Sequence, residues 1–209
     1  MTRHLRPLSL AAALLLAPSS PAGDALYVAE YKFNDPHLTR LSPDGSGATP
    51  LSVLPTADWL VVGLAVDTPA GKVYWTHGSF QQGAIRRATL DGTNVETIVS
   101  GLTNPRGLAL DPTGGHVYWS DTSDRALYRV KLDGTGFQTV ANTGNQLGRP
   151  TLDLALGHVW FGDLGAGTIL RANLDGSNPQ VIVSGADDPV ALALDPGGGK
   201  VYWVDAQTV

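Results

Sequence analysis

The 209-residue chain carries a formal charge of −5 and contains no cysteine. The lack of cysteine excludes disulfides, thiolate metal sites and a cysteine nucleophile, and the acidic balance without a basic, aromatic-rich run argues against nucleic acid. Its 25 glycines and 14 prolines suit short strands joined by tight turns.

The first 22 residues have the pattern of an export signal. Arg3 and Arg6 precede an apolar run at 8–17, and small residues follow up to Ala22. The run has about 10 residues, whereas a bilayer span needs about 20, so a membrane anchor fits less well. The sequence predicts a signal peptide over 1–22 and an extracellular or periplasmic protein, the alternative being a buried N-terminal helix.

From Gly23 onward, short apolar runs bounded by turn residues recur at a fixed spacing. The run Val-Tyr-Trp-Ser-Asp at 117–121 recurs as Val-Tyr-Trp-Thr-His at 73–77 and Val-Tyr-Trp-Val-Asp at 201–205, and more loosely from 26 and 159. Asp111, Asp153 and Asp195 are 42 residues apart, as are the Asp-Gly turns at 91, 133 and 175. A period near 42 residues with four strands per unit is typical of β-propeller blades.

The sequence therefore predicts an all-β fold of four-stranded antiparallel blades, each with strands A to D from the axis outward. The propeller region covers 23–209 and divides into a partial B-C-D blade at 25–55, blades at 60–100, 107–141 and 151–184, and a partial A-B blade at 190–209. This gives 17 strands in an incomplete ring. Because open sheet edges are a hazard, we expect a larger parent propeller or a partner that completes the ring.

Three recurring motifs carry a resemblance to a known family. The YW[TS]D run, the preceding GLALD and the following LYRVKLDG resemble the low-density lipoprotein receptor class B (YWTD) repeat, over essentially 25–209. The resemblance, to a bacterial-type exported member that is partial, implies a six-bladed, TolB-like extracellular propeller. Members of this family mostly bind proteins, and the EGF-like module of animal members is not expected without cysteine.

Acidic residues at the end of strand B and arginines in strand C suggest one set of structural contacts. Asp121 and Asp163 precede Arg129 and Arg171 by eight residues, and Arg87 and Arg40 occupy the same repeat position as these arginines. A carboxylate and a guanidinium at such positions suit a bidentate pair. The sequence predicts inter-blade ion pairs, the alternative being a ring of binding arginines.

A second acidic set follows strand A, at Asp67, Asp111, Asp153 and Asp195. Carboxylates near a propeller axis could hold Ca²⁺, which prefers oxygen ligands. The favoured interpretation is that each carboxylate accepts hydrogen bonds in its own turn. No cofactor or metal site is predicted, Ca²⁺ being the one ion considered.

The segments that vary between repeats are the better place to look for function. Because strands alternate in direction, the B–C loops and the D–A linkers lie on one face of the propeller. Loops on a rigid scaffold commonly carry binding residues, and aromatic and arginine side chains dominate binding hot spots. The predicted contacts on this face are Trp59, Phe80, Arg106 and Arg149.

The sequence thus predicts an exported, non-enzymatic propeller that binds a protein or cell-surface ligand through this loop face, with no nucleic acid and no membrane span. Serine-hydrolase and phosphate-loop motifs are absent from the sequence. The alternatives are a Ca²⁺-dependent secreted hydrolase resembling lactonases, and a gene fragment without independent function. An enzyme would show acidic or histidine residues unique to one or two blades, and the only such candidates are Asp187 and Asp188.

Overall fold

The computed structural model describes residues 11–20, 23–30, 37–42, 44, 46–53, 61–78 and 82–206. Within these residues the chain is all-β, with five antiparallel sheets in which the strands follow one another in chain order. The first sheet contains β1 (Ala11–Ser20), β2 (Gly23–Glu30), β3 (His37–Leu41) and β4 (Thr49–Val53). The second contains β5 (Val61–Asp67), β6 (Lys72–His77), β7 (Gly83–Thr89) and β8 (Glu96–Leu102).

The third and fourth sheets repeat this arrangement, and the fifth has two strands. The third contains β9 (Pro105–Asp111), β10 (His116–Asp121), β11 (Ala126–Lys131) and β12 (Gln138–Asn142). The fourth contains β13 (Thr151–Asp153), β14 (His158–Asp163), β15 (Thr168–Asn173) and β16 (Gln180–Ser184). The fifth contains β17 (Pro189–Asp195) and β18 (Lys200–Asp205). The predicted fold class, a β-propeller with an incomplete ring, is confirmed.

The first sheet differs from the sequence-based expectation of three strands. The segment Ala11–Ser20 pairs antiparallel with β2, with Leu14 opposite Val28 and Leu16 opposite Leu26. A free edge of β2 presents unpaired backbone donors and acceptors, and an apolar segment joined by a short turn can satisfy them. The described chain therefore has 18 strands rather than 17, and the signal peptide over 1–22 stays a prediction.

The first strands of successive sheets surround a common axis. β1 contacts β5, β5 contacts β9, and β13 contacts both β9 and β17. The core lies between neighbouring sheets, where Ile85 and Leu102 of the second sheet pack with Val117 and Trp119 of the third. Large aromatic rings fill the space that twisted sheets leave between them.

Candidate ligand-binding face

The B–C loops and the D–A linkers lie side by side on one face of the propeller. Backbone hydrogen bonds that join them include Thr122 N to Asn104 O (3.2 Å), Leu164 N to Gln146 O (3.0 Å), Ala186 N to Gly167 O (3.0 Å) and Ala206 N to Asp188 O (3.0 Å). We call residues 104–106, 122–125, 146–149, 164–167 and 186–188 the loop face. The A–B and C–D turns meet on the opposite face, where Leu132 N donates to Gly115 O at 2.9 Å.

A cavity of about 360 Å³ opens among the residues of this face, between the first strands of the second to fifth sheets. Four apolar side chains contribute to its lining: Val62, Leu147, Leu164 and Val190. Four uncharged polar residues also line it: Asn104, Ser120, Thr122 and Gln146. Among the described residues, the charged ones in the lining are Arg106 and Arg149, and no carboxylate contributes, in a chain that is acidic as a whole.

The backbone of Arg106 is fixed by a contact between sheets. Thr76 Oγ1 accepts a hydrogen bond from Gly63 N (2.7 Å) and donates one to the carbonyl oxygen of Arg106 (2.8 Å). This threonine joins β5 to β9 at the start of both strands. The half-buried Arg106 side chain then lies at the cavity, and within the described residues its guanidinium has no hydrogen bond or ion pair.

Arg149 reaches the same cavity from the next linker. Its backbone N–H donates to Val190 O at 2.9 Å, which fixes the linker against β17. Its side-chain stem covers Gly107, since a Cβ at Gly107 would lie 2.4 Å from Arg149 Cγ. Arg106 and Arg149 thus both line the cavity, from successive linkers. The exposed Arg149 guanidinium also lacks a partner among the described residues.

Two hydroxyl groups of the cavity lining lack hydrogen-bond partners. Ser120 is 1% exposed, and neither its Oγ nor the buried Oγ1 of Thr122 has a partner in the described part of the chain. Ser120 occupies the repeat position of Thr76, whose hydroxyl makes one bond within its sheet and one to the next sheet. An unsatisfied buried hydroxyl costs about 1–3 kcal/mol, so this wall of the cavity has unused hydrogen-bonding capacity.

Two of the four predicted contact residues, Trp59 and Phe80, lie outside the described residues and stay predictions. The other two, Arg106 and Arg149, are brought together at the cavity. The sequence placed all four on the loop face from topology alone. The sequence did not indicate that the Arg149 side chain would cover Gly107, the residue after Arg106, because that contact depends on how far apart adjacent sheets lie.

The predicted ion pairs between the strand-B carboxylates and the strand-C arginines are wrong. Asp121 Oδ2 accepts from Asn104 N at 2.8 Å, and Oδ1 accepts from Ser123 N and Asp124 N at 3.1 Å each. In the sheet, Asp121 is opposite Ala126 and Arg129 is opposite Tyr118. The carboxylate and the guanidinium therefore lie at different levels of the blade, and Asp163 likewise accepts from Ala166 N in its own loop, at 2.9 Å.

The strand-C arginines instead connect sheets through backbone carbonyls. Arg87 donates to Leu132 O in the third sheet at 2.9 Å and pairs with Glu96 at 2.6 Å. Arg129 donates to Leu174 O in the fourth sheet at 3.0 Å. These contacts have an inter-blade role, as the sequence predicts, with a different acceptor.

Arg171 and Arg40 occupy the same register position, opposite Trp160 and Tyr27. Arg171 bonds Gln180 at 2.6 Å, and its guanidinium carbon lies 5.5 Å from the centroid of the Trp160 ring. These contacts lie within the fourth sheet. Arg171 therefore has a local role where Arg87 and Arg129 have an inter-sheet one.

The acidic residues that follow strand A each accept a hydrogen bond in their own turn. The backbone N–H groups donate at 2.7–3.1 Å, in the pairs Ala70 to Asp67, Gly114 to Asp111, Leu156 to Asp153 and Gly198 to Asp195. Within the described residues no three His, Asp or Glu side chains form a group that could hold a metal ion. Because Ca²⁺ prefers several oxygen ligands, a cavity with two guanidinium groups does not suit it.

A second groove, of about 260 Å³, lies between the fourth and fifth sheets on the opposite face. Nearby, Tyr202 is 54% and Trp203 39% exposed, whereas their repeat equivalents Tyr118 and Trp119 are fully buried. The difference arises because Tyr118 and Trp119 have a third strand and a following sheet against them.

Among the described residues there is no helix long and apolar enough to cross a membrane.

A family model described as SMP-30/Gluconolactonase/LRE-like region matches residues 65–202, more than half of the chain. Among curated proteins, 60 residues of the chain are 35% identical to Protein cueball of Drosophila grimshawi, covering 28% of this chain and 10% of that protein. A 60-residue segment is 40% identical to low-density lipoprotein receptor-related protein 5 of Mus musculus, covering 28% of this chain and 4% of that protein. The aligned segments are thus a tenth or less of these relatives.

Solved structures share the fold at low sequence identity. A nidogen/laminin complex matches with a TM-score of 0.75 and 24% identity, covering 87% of this chain and 67% of that one. Virginiamycin B lyase from Staphylococcus aureus matches with a TM-score of 0.70 and 19% identity, covering 92% of this chain and 62% of that one. A putative TolB from Agrobacterium tumefaciens gives 0.66 at 14% identity, covering 90% and 73%. These likenesses establish the β-propeller fold.

Proposed function

The chain belongs to the SMP-30/Gluconolactonase/LRE-like family, and we propose that it is a non-enzymatic β-propeller that binds a protein or cell-surface ligand through its loop face. The cavity between Arg106 and Arg149 is the observation that carries this proposal. It combines apolar walls with two hydroxyls and two arginine side chains that have no partner among the described residues, all of which a ligand could satisfy. Such a mixture of apolar lining and a few convergent polar groups is typical of binding sites.

The scaffold beneath the loop face is suited to holding such a site rigid. Asp121 fixes the linker at Asn104, and Thr76 fixes the backbone of Arg106. The Asp121 position is again aspartate at Asp163 and Asp205, whereas the cavity lining differs between repeats. Rigid presentation of variable side chains lowers the entropic cost of binding.

Two of the comparisons favour a protein ligand. One structurally similar propeller was solved in a nidogen/laminin complex, and one relative in sequence is a lipoprotein receptor-related protein. We assign the chain to the YWTD branch of propellers on its recurring motifs and this partial match. The bacterial-type and six-bladed character of the parent belong to the same proposal.

A lactonase-like enzyme is the second candidate, because the family model's description includes gluconolactonase. The observation against it is the donor set at the cavity, where Arg106 and Arg149 stand in place of the oxygen ligands that Ca²⁺ needs. Asp187 and Asp188 belong to the loop face but do not line this cavity. We expect no Ca²⁺-stimulated hydrolysis of glucono-δ-lactone by the full chain; turnover that Arg106→Ala abolishes would establish the enzyme instead.

Export is part of the proposal and rests on the first 22 residues. Expression of the full chain with its N-terminus intact should yield a product that begins at Gly23, as read by intact-mass analysis of the exported fraction. Cleavage there would remove β1 and leave three strands in the first sheet. A product that keeps residues 11–20 would show that this segment serves as a strand and not as a signal.

Peptide display on the full chain tests the binding proposal. A library of 12-residue peptides is selected against the wild type, and enriched peptides are measured against two matched variants, Leu164→Arg on the loop face and Leu156→Arg on the opposite face. We expect Leu164→Arg to weaken binding at least tenfold and Leu156→Arg to leave it unchanged. The reverse order, or the absence of enriched peptides, would contradict the proposal.

A further inference from the structure

We propose that Arg106 and Arg149 form a carboxylate-binding site, into which a partner protein inserts an aspartate or glutamate side chain. This inference rests on the proposed function and names the chemical class that the loop face recognises. It begins from the contact at Gly107, which holds the stem of Arg149 beside the residue that follows Arg106. Both arginines line one cavity, to which no described carboxylate contributes.

Within the part of the chain that the structure describes, neither guanidinium has a hydrogen bond or ion pair. The described arginines Arg87, Arg125, Arg129 and Arg171 all have hydrogen-bond acceptors, which are carbonyls, amides or a carboxylate. Arg106 and Arg149 have none within the described residues. Because a planar guanidinium offers paired N–H donors that match the two oxygens of a carboxylate, each of them can take a bidentate ligand.

Buried hydroxyls give a second, independent indication of a ligand. Ser120 Oγ and Thr122 Oγ1 are buried without hydrogen-bond partners in the described chain, and both residues line the cavity beside the arginines. Each hydroxyl can donate one hydrogen bond to an anion. A bound carboxylate would satisfy these groups and also neutralise the repulsion between the two cations.

The surroundings favour a protein side chain over a polyanion. Four apolar residues line the cavity, which suits a carboxylate on a short apolar stem flanked by apolar neighbours. A sulfated glycan or a nucleic acid needs cations spread along a surface, and the net charge of −5 opposes its approach. The site is therefore suited to one acidic residue of an otherwise mixed peptide.

Three display sublibraries test the chemistry of the ligand on the full chain. The 12-residue peptides carry Asp or Glu, Asn or Gln, or Lys or Arg at one fixed central position, with the other positions free. We expect enrichment from the Asp/Glu sublibrary. Equal enrichment from the Asn/Gln sublibrary would overturn the carboxylate site while leaving the loop-face proposal intact, whereas no enrichment from any sublibrary would count against both.

Matched variants then test the two arginines with one enriched acidic peptide, measured by fluorescence polarisation. We expect Arg106→Gln and Arg149→Gln each to weaken binding at least tenfold. Arg171→Gln is the control, since Arg171 lies outside the loop face and its guanidinium already donates to Gln180 Oε1 at 2.6 Å. It removes the same charge and should change affinity by less than twofold; a loss equal to that of the other variants would reduce the effect to general electrostatics and overturn the site.

Two further binding measurements distinguish a peptide carboxylate from a sulfated glycan or free phosphate as the ligand. Replacing the central Asp or Glu of the peptide by Asn or Gln should weaken its binding to the wild type as much as either arginine variant weakens binding of the acidic peptide. The Arg149→Gln variant should bind the acidic peptide and its Asn or Gln counterpart equally well. Heparin and inorganic phosphate should compete only weakly. Tight heparin binding that also depends on Arg106 and Arg149 would identify a sulfated glycan as the ligand and overturn the peptide assignment.

Discussion

Arg129 Nη1 in the third sheet donates a hydrogen bond to the carbonyl oxygen of Leu174 in the fourth sheet, at 3.0 Å. Arg87 makes the same contact one sheet earlier, with Leu132 O at 2.9 Å. Tyr118 OH also donates to Leu174 O, at 3.2 Å. Successive blades are thus joined near the opposite face by a guanidinium and a backbone carbonyl, which leaves the loop face free of this task.

Replacing Arg129 by Met should lower the free energy of unfolding by about 1.5–3 kcal/mol, the usual contribution of a hydrogen bond to a charged group. Arg171→Met is the control, since its contacts stay within the fourth sheet. We expect it to cost less than half as much in urea unfolding. Equal losses would show that the inter-sheet contact adds nothing to stability.

Asp121→Ala should destabilise the protein more than Asp163→Ala. Asp121 accepts three backbone N–H groups, including that of Asn104 in the preceding linker, whereas Asp163 accepts one, from Ala166. Unsatisfied donors cost about 1–3 kcal/mol each, so we expect a difference of at least ~1 kcal/mol in chemical denaturation. Faster amide exchange at Asn104 in Asp121→Ala would locate the effect; unchanged exchange there would contradict it.

Stability should fall between about pH 10 and pH 12 because of buried tyrosines. Burial, with a further contribution from Asp124, raises the pKa of Tyr128 to about 12, and burial also raises the pKa values of Tyr74 and Tyr118 above 10.0. Because the folded-state pKa values are raised, the neutral tyrosines contribute their full stabilisation below the unfolded-state pKa. This stabilisation is lost as the pH rises through the folded-state pKa. Tyr128→Phe keeps the ring contacts with Trp119 and Phe137 and should show a shallower decline in Tm. Parallel declines in both proteins would refute the assignment to Tyr128.

Gly107→Ala should destabilise the protein and weaken ligand binding together. The added Cβ would meet Arg149 Cγ at 2.4 Å and Arg149 Cα at 2.7 Å, so both side chain and backbone must move. Overpacking of this kind costs about 1–3 kcal/mol. Gly197→Ala is the control, because its nearest contact would be an ordinary 3.6 Å. An affinity unchanged by Gly107→Ala would show that the position of Arg149 does not matter.

Much of the fold could be predicted because each blade repeats its chemistry. The turn role of Asp111 and its equivalents follows from a Pro-Gly turn in which a short carboxylate reaches its own backbone, a local effect visible in sequence. The partners of Asp121 and Arg129 were predicted wrongly because they depend on strand register and on the next sheet. The strand Ala11–Ser20 was missed because an apolar run has the same composition in a signal peptide and in a strand.

The candidate site was predictable in part. Topology places Arg106 and Arg149 on one face, but it does not indicate that the Arg149 stem packs on Gly107 or that the buried Ser120 hydroxyl has no partner among the described residues. Both features depend on the spacing of neighbouring sheets, which the sequence does not state. Trp59 and Phe80 lie outside the described residues, so their place in the site stays a prediction.

Hydrogen–deuterium exchange on the full chain, with and without a saturating acidic peptide from the display selection, tests the central claim most directly. If the peptide binds to the loop face, we expect slower amide exchange at 104–106, 122–125 and 146–149. We expect no change in the C–D turns at 91–94, 133–136 and 175–178. Protection confined to those turns, or spread evenly over both faces, would contradict ligand binding through the loop face.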